Sequence, residues 1–283
     1  MDILHAILLG VVEGITEFLP VSSTGHLTIV EKLLGYQIDQ PAITAFTAVI
    51  QIGAIAAAIL YFRSDIVRVA TAWFRGLGDG AARGNDYKFG WSVLIGSLPI
   101  IVAALIFKDE VETVFRSLWF VVAGLILWSV VLWIADKKAQ KIEQASAAKQ
   151  EKDVTWKDTL IIGLTQCVAL IPGVSRSGAT ISAGLLRGLD RVTATRLSFF
   201  LGIPALVAAG VYQSISHVDD ISAGVGWVPT IVATLVSFVV GYISIAWLIK
   251  FVSKHTFSLF IWYRLALGAL IALLLLTNVV TAV

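Results

Sequence analysis

Carboxylates, hydroxyls, an imidazole and a guanidinium stand inside otherwise apolar sequence at two places in this chain. The first reads Glu13-Gly-Ile-Thr-Glu17-Phe-Leu-Pro20-Val-Ser22-Ser23-Thr24-Gly25-His26; the second reads Gly163-Leu-Thr165-Gln166, then Pro172-Gly173-Val-Ser175-Arg176-Ser177-Gly178-Ala-Thr180. Val21-Ser22 aligns with Val174-Ser175, Thr24-Gly25 with Ser177-Gly178, and Gly14-x-Thr16-Glu17 with Gly163-x-Thr165-Gln166 across a longer spacer. The stretch is duplicated, and its copies differ in chemistry. The first carries two acids and a histidine, the second an arginine, so a site built from both would hold an anion and act on it.

Glu13 and Glu17 are four residues apart and share one face of a helix. Carboxylates in hydrocarbon are costly and mark function by default. Facing a pocket, this pair would bind a divalent cation through oxygen or act as general base; the plainer alternative is a pair of solvated acids near the outer surface. His26 closes a hydroxyl-rich break and suits nucleophilic or acid–base duty. His5, His217 and His255 have no such company and read as interfacial. Any one of Ser22, Ser23 and Thr24 would cap the next helix, but three consecutive hydroxyls exceed a cap. Ser23 is the candidate nucleophile or substrate-contacting hydroxyl, with Ser22 and Thr24 beside it.

In the second copy, Gly173 and Gly178 let backbone approach a ligand, and the following helix presents unpaired N–H groups and its positive end. Arg176 adds a planar bidentate donor suited to phosphate oxygens, and Ser175, Ser177 and Thr180 surround it with hydroxyls. Together they describe an oxyanion cradle. Arg187, Arg191 and Arg196 fit an ordinary cytoplasmic turn, and Arg264, beside Trp262 and Tyr263, reads as an interfacial anchor.

The elements that must position these groups belong to a membrane. The 283 residues are 58% hydrophobic and 14% charged, with mean hydropathy +0.87, outside the range of soluble domains. Apolar runs of about twenty residues match the length a helix needs to cross hydrocarbon, and barrel alternation is absent, so the predicted class is all-α integral membrane. A formal charge of +2, spread over loops, gives no reason to expect nucleic acid. Cys167 stands alone, which excludes an intrachain disulfide, and an apolar first segment interrupted by Glu13 and Glu17 argues against a cleaved signal peptide.

Six spans are predicted, at 42–62, 90–107, 118–135, 194–213, 227–249 and 258–279. The loops at 63–89, 136–157 and 250–257 are rich in Lys and Arg, whereas 108–117 sets Lys108 and Arg116 against three acids and 214–226 holds Asp219 and Asp220 without a basic residue. By the positive-inside rule the basic loops are cytoplasmic and both chain ends face outward. Segments 1–34 and 158–190 are each a helical run, a break and a second run, bounded on one side, which predicts re-entrant hairpins. The first repeat is then 1–135 and the second 158–283, in opposite topology, joined by a cytoplasmic linker at 136–157. Ala139 to Asp153 reads as a surface linker or short solvated helix, and 76–88 as a flexible loop. In such inverted repeats non-helical breaks are tolerated at depth where they line a wet cavity, and they meet near the midplane.

Glu13-xxx-Glu17, the Pro20-Val-Ser-Ser-Thr-Gly-His26 run and Pro172-Gly-Val-Ser-Arg-Ser-Gly-Ala-Thr180 resemble the signature motifs of bacterial undecaprenyl-diphosphate phosphatase, the membrane enzyme also called the bacitracin resistance protein. The resemblance extends over essentially the whole chain. It implies hydrolysis of undecaprenyl diphosphate to undecaprenyl phosphate and inorganic phosphate, recycling the lipid carrier of cell-wall synthesis, in the inner membrane with the site open to the periplasm. It also implies a divalent cation, magnesium or calcium. Glu13 and Glu17 would bind metal or assist as base, Ser23 and His26 would supply the nucleophile or its acid–base partner, and Ser175, Arg176 and Thr180 would hold the diphosphate. Whether Ser23, His26 or water attacks stays open, and the sequence neither requires nor excludes a homodimer.

A transporter or flippase of an anionic lipid or solute would use the same pocket and the same architecture. An acid-phosphatase-type lipid phosphatase also carries Ser-Gly-His and Ser-Arg motifs, but places a further histidine soon after the Ser-Arg; here the next is His217, in an exterior loop.

Overall fold

The structure, a computed structural model, describes residues 1–38, 40–107, 117–216 and 218–282, with side chains except those of 213–216 and 218. Among the described residues there are helices and turns but no β-strand. In chain order the helices are α1 (Ile3–Thr16), α2 (Ser23–Leu33), α3 (Pro41–Tyr61), α4 (Arg63–Gly78), α5 (Asn85–Ile106), α6 (Leu118–Gln144), α7 (Trp156–Gln166), α8 (Arg176–Leu186), α9 (Arg191–Ser216), α10 (Val218–Ala223), α11 (Trp227–Val252) and α12 (Ser258–Leu276). Six of them, α3, α5, α6, α9, α11 and α12, are long and apolar enough to cross a membrane. The protein is an all-helical, multi-pass membrane protein.

The two short helix pairs, α1–α2 and α7–α8, flank the breaks singled out in the sequence. α1 packs on α11 and α7 on α5; α3 packs on both α9 and α11, α9 also on α5, and α6 on α12. Exchanging the first five hydrophobic helices (α1, α2, α3, α5, α6) for the second five (α7, α8, α9, α11, α12) maps these pairings onto one another. The first helix of each pair is seated through glycine: a Cβ on Gly14 would meet the Ser237 carbonyl of α11, and one on Gly163 would strike the Gly96 backbone of α5. Small residues let helix backbones approach closely where lipid provides no hydrophobic drive for association.

Several expectations change. The 63–89 loop contains a 16-residue helix, α4, then a short 3-10 turn at Gly80–Ala82, and α5 begins already at Asn85. α4 is amphipathic, exposing Val67, Phe74 and Leu77 while burying Val69; its arginines give it the composition of a loop, although interfacial helices carry such charges on one face. The 76–88 stretch is therefore mostly helical. α6 continues through the predicted linker start to Gln144, with Asp136 and Ala139 buried.

Arg187, Arg191 and Arg196 do more than decorate a turn. Arg191 is buried and pairs with Asp136 (2.7 Å) and with Glu143; Arg187 pairs with fully buried Asp158 (2.8 Å), which Lys149 also approaches. Arg196 bridges Asp65 (2.9 Å) and Glu151, and Arg68 joins Asp65, Asp86 and Glu151. These pairs tie α9 to α4 and to α6, and α7 to the turn after α8, at the end bearing the basic loops. Lys108, Arg116 and the three acids between them lie outside the described residues, as does His217.

Candidate active site

Both breaks fold the same way for the same reason. Ser22 has φ 76° and Ser175 φ 75°, in a region that side chains other than glycine seldom adopt. Each serine is the N-cap of the next helix, and its Oγ accepts the N–H three residues on, Gly25 for Ser22 (3.3 Å) and Gly178 for Ser175 (3.1 Å). The left-handed turn reverses the chain into α2 and α8. The first-turn N–H groups of both helices, unpaired within a helix, therefore start at one cavity, which receives two positive helix ends.

The breaks also bond to each other. The Gly173 N–H donates to Ser22 Oγ (3.2 Å), and the Ser177 hydroxyl donates to the Leu19 carbonyl (3.0 Å). Gly173 has φ 90°, and a Cβ there would strike the Val121 carbonyl of α6, so only glycine permits this approach.

Between them lies a cavity of about 540 Å³. Its polar wall is Glu17, Ser22, Ser23, Thr24, Gln51, Ser175 and Arg176, with Gly173 in the lining; its apolar wall comes from α5 (Ile100, Ile101, Ala104, Leu105), the stretch Ala169 to Pro172, and α9 (Ala205, Leu206, Ala208, Ala209, Tyr212). The Ser23 hydroxyl donates to Glu17 Oε2 at 2.7 Å. Gln51 donates to the same oxygen (3.2 Å), and Arg176 Nη2 reaches Glu17 Oε1 at 3.4 Å. Arg176 is further held by the Ser198 carbonyl (3.0 Å), while its Nε is buried with no hydrogen-bond partner among the described residues. A hydroxyl on a carboxylate, facing a guanidinium at two helix N-termini, can transfer a group to oxygen while neutralising an anion.

Of the residues expected at the site, Glu17, Ser22, Ser23, Thr24, Gly173, Ser175 and Arg176 line the cavity. The rest stand behind it. The Thr180 hydroxyl is buried between the Arg176 carbonyl (2.9 Å) and Ser198 Oγ (2.7 Å); Ser177 and Gly178 serve the break itself. His26 Nδ1 lies 2.7 Å from the Ser22 carbonyl, an acceptor, so that nitrogen carries hydrogen and Nε2, 2.6 Å from Tyr263 Oη, accepts from it when the ring is neutral. The imidazole and phenol stack, 5.6 Å apart and 6° from parallel. His26 thus grips the backbone of Ser22 from outside the cavity.

Glu13 is 1% exposed, one helical turn from Glu17, and its Oε1 has no partner among the described residues. A buried carboxylate oxygen without a donor is what a cation or a proton satisfies. No group of three or more His, Cys, Asp or Glu side chains able to hold a metal occurs among the described residues. Glu13 and Glu17 offer carboxylate oxygens of the kind a hard cation takes, and an ion held by these two alone would need water or substrate oxygens to complete its shell.

Gln51 and Arg264 escape the sequence reading as site residues, although both are visible there as intramembrane polar groups. Arg264, expected at the interface, is instead 0% exposed. Its nitrogens donate to Ser129 Oγ (3.1 Å) and to the carbonyls of Pro20, Gly124 and Gly173 (each 3.0 Å). Trp262 is 70% exposed, as an anchor would be, and Arg264 lies on the opposite face because one residue turns a helix about 100°.

Comparison with known proteins gives the chain close relatives over its whole length. "Undecaprenyl-diphosphatase 3" of Frankia casuarinae is 60% identical over 283 residues, all of both chains; "Undecaprenyl-diphosphatase" of Cutibacterium acnes is 57% identical over the full length of both, and that of Acidothermus cellulolyticus 49%, again over both full lengths. The family model described as "Bacitracin resistance protein BacA" matches residues 6–270. With a match of that extent and relatives of that identity, the chain belongs to the bacitracin resistance protein BacA family.

Proposed function

We infer that this protein is an undecaprenyl-diphosphate phosphatase of the bacterial inner membrane, converting undecaprenyl diphosphate to undecaprenyl phosphate and inorganic phosphate. The observation that carries the reading is the Ser23 hydroxyl on Glu17, opposite Arg176, in a cavity with one polar and one apolar wall. Family membership supplies the substrate class.

Ser23 Oγ attacks the terminal phosphorus as its proton passes to Glu17 Oε2. The anhydride P–O bond breaks, and its electron pair leaves with undecaprenyl phosphate. Glu17 passes that proton to the departing phosphate; water then gives up a proton to Glu17 as it attacks the phosphoserine, and Glu17 returns it to Ser23 Oγ as the P–O bond to serine breaks and inorganic phosphate leaves. Arg176, whose Nε has no partner among the described residues, and the N–H groups opening α2 and α8 neutralise the terminal phosphate as charge shifts. Ser175 and Thr24 face the same anion. His26 acts through Ser22, fixing the backbone that carries Ser23. Glu13 and Glu17 would hold the magnesium or calcium ion, which when bound supplies further neutralisation of the diphosphate.

The two hairpins and their spans form an inverted repeat in this reading, supported by the exchange symmetry of the helix pairings and by the matched serines. The site opens toward the periplasm. It is lined by the later turns of α5 and α9, at the end remote from the basic loops and the ion-pair network. The polyprenyl tail runs along the apolar wall into lipid between those helices.

The test is phosphate release from undecaprenyl diphosphate by purified protein in detergent, with magnesium or calcium and then with chelator, beside Arg176→Ala. Release that needs the ion and is nearly abolished by the substitution is expected. Normal turnover in folded Arg176→Ala would remove Arg176 from the site, and no release with any divalent ion would favour an anionic-lipid transporter.

A further inference from the structure

The two carbonyls that Arg264 holds, those of Pro20 and Gly173, occupy the same place in the two breaks. Each lies two residues before the left-handed serine, Ser22 in one copy and Ser175 in the other. Arg264 Nη1 donates to Pro20 and Nη2 to Gly173, both at 3.0 Å. One guanidinium fork thus spans the junction of the two copies, one prong on each.

The rest of the side chain is arranged to keep the fork there. Nε donates to Ser129 Oγ of α6 at 3.1 Å, and the Ser129 hydroxyl in turn donates to the Leu125 carbonyl at 2.6 Å. Nη2 also reaches the Gly124 and Leu125 carbonyls. Every one of these partners is a carbonyl or a hydroxyl; no carboxylate among the described residues accepts from Arg264. A fully buried cation with only neutral acceptors is an expensive way to pack a membrane helix. An apolar side chain would fill the space at lower cost, but would leave both break carbonyls unsatisfied and the breaks unconnected at this point.

We propose that Arg264 is a positioning residue for the phosphatase reaction, which sets the nucleophile-bearing break, with Ser23, at fixed distance and register from the phosphate-holding break, with Arg176. The preceding residue on α12 acts on the same break. Tyr263 bonds His26, which bonds the Ser22 carbonyl, so α12 holds the first break at Pro20 and at Ser22. The inference rests on the phosphatase reading, since it assumes that Ser23 and Arg176 address one phosphate from opposite sides.

Lysine keeps the charge but presents one nitrogen, which cannot hold two carbonyls in a planar fork. Arg264→Lys should therefore lose turnover on the order of 100-fold, the scale of a misplacement of about 1 Å, with KM changed far less because the cavity's own groups remain. Ser129→Ala tests the same device without touching the arginine. It removes the Nε acceptor, lets the fork swing, and should lower kcat severalfold with KM nearly constant in protein that folds normally by size-exclusion chromatography. Wild-type kcat in Ser129→Ala, or in folded Arg264→Lys, would overturn the proposal, as would a loss expressed in KM alone. Wild-type protein that releases no phosphate would instead fail the phosphatase reading.

Discussion

Ser22 and Ser175 are two copies of one strained residue, φ 76° and 75°, each capping its own helix, and Ser22 Oγ also receives the Gly173 N–H from the other copy. The cap and the dihedral make opposite demands on a substitution. Ser175→Ala removes the cap and keeps the strain, and should cost about 1 kcal/mol. Ser175→Gly removes the cap but adopts positive φ freely, and should cost only a few tenths. Thermal unfolding in detergent should therefore rank wild type above Gly and Gly above Ala; an alanine variant as stable as the glycine one would show that the dihedral is not strained.

The Ser23 hydroxyl donates to Glu17, and in the proposed mechanism the two act as one unit, so their losses should not add. Ser23→Ala and Glu17→Gln should each lower kcat by at least ~100-fold, and the double variant should fall little further. Single-turnover phosphate release on the three variants checks this. Multiplying losses would mean that the two side chains contribute to separate steps.

Gly202 of α9 touches no substrate in this reading, yet a Cβ there would fall on the Arg176 guanidinium. Gly202→Ala should displace that group and reduce kcat/KM by ~10- to 100-fold while leaving the protein folded, since most of α9 is undisturbed. Unchanged kinetics would mean that Arg176 has another productive position.

Glu13 carries a buried oxygen without a partner among the described residues, one turn from Glu17. If the pair holds the divalent ion, Glu13→Gln should raise the magnesium concentration needed for half-maximal rate, and chelator should silence wild type reversibly. Loss of rate with an unchanged magnesium dependence would assign Glu13 to proton handling instead.

The ion-pair network at the basic-loop end should make stability fall in acid. Burial alone would raise the Asp65 carboxyl, but the guanidinium hydrogen bonds of Arg196 and Arg68 outweigh it and hold it below its ordinary 3.8. Asp158 is lowered likewise: burial is outweighed by bonds from Thr155, Arg187 and Lys149. Groups with depressed values stabilise the fold above 3.8, and that contribution is lost as pH falls through the lowered values. The melting temperature should drop as pH is taken below 3.8, and Asp65→Asn should flatten part of that drop. A slope identical to wild type would exclude Asp65 as a source.

Much of the site is legible in the residues alone because burying polar groups in hydrocarbon is costly. Glu17, Ser23 and Arg176 stand out in apolar sequence, and duplication marks their neighbourhoods as one design. The six membrane-crossing helices follow from length and hydropathy alone. Less is legible where one residue type serves two ends. α4 reads as a loop because charge on one face of an amphipathic helix resembles charge in a loop, and Arg264 reads as an anchor because it adjoins Trp262 and Tyr263.

By itself the sequence determined that this chain lives in a membrane and that it carries two polar breaks, and it singled out the candidate groups in them, Glu13, Glu17, Ser23, His26 and Arg176. Composition and local spacing suffice for that, since they set the cost of burial and the reach of one helical turn. Only the tertiary structure decided which of those groups meet. Glu17 faces Arg176, 159 residues away; His26 turns outward to Tyr263; and Arg264 reaches both breaks at once. Such pairings depend on which face each helix buries against a distant one, and no local pattern in the chain encodes that.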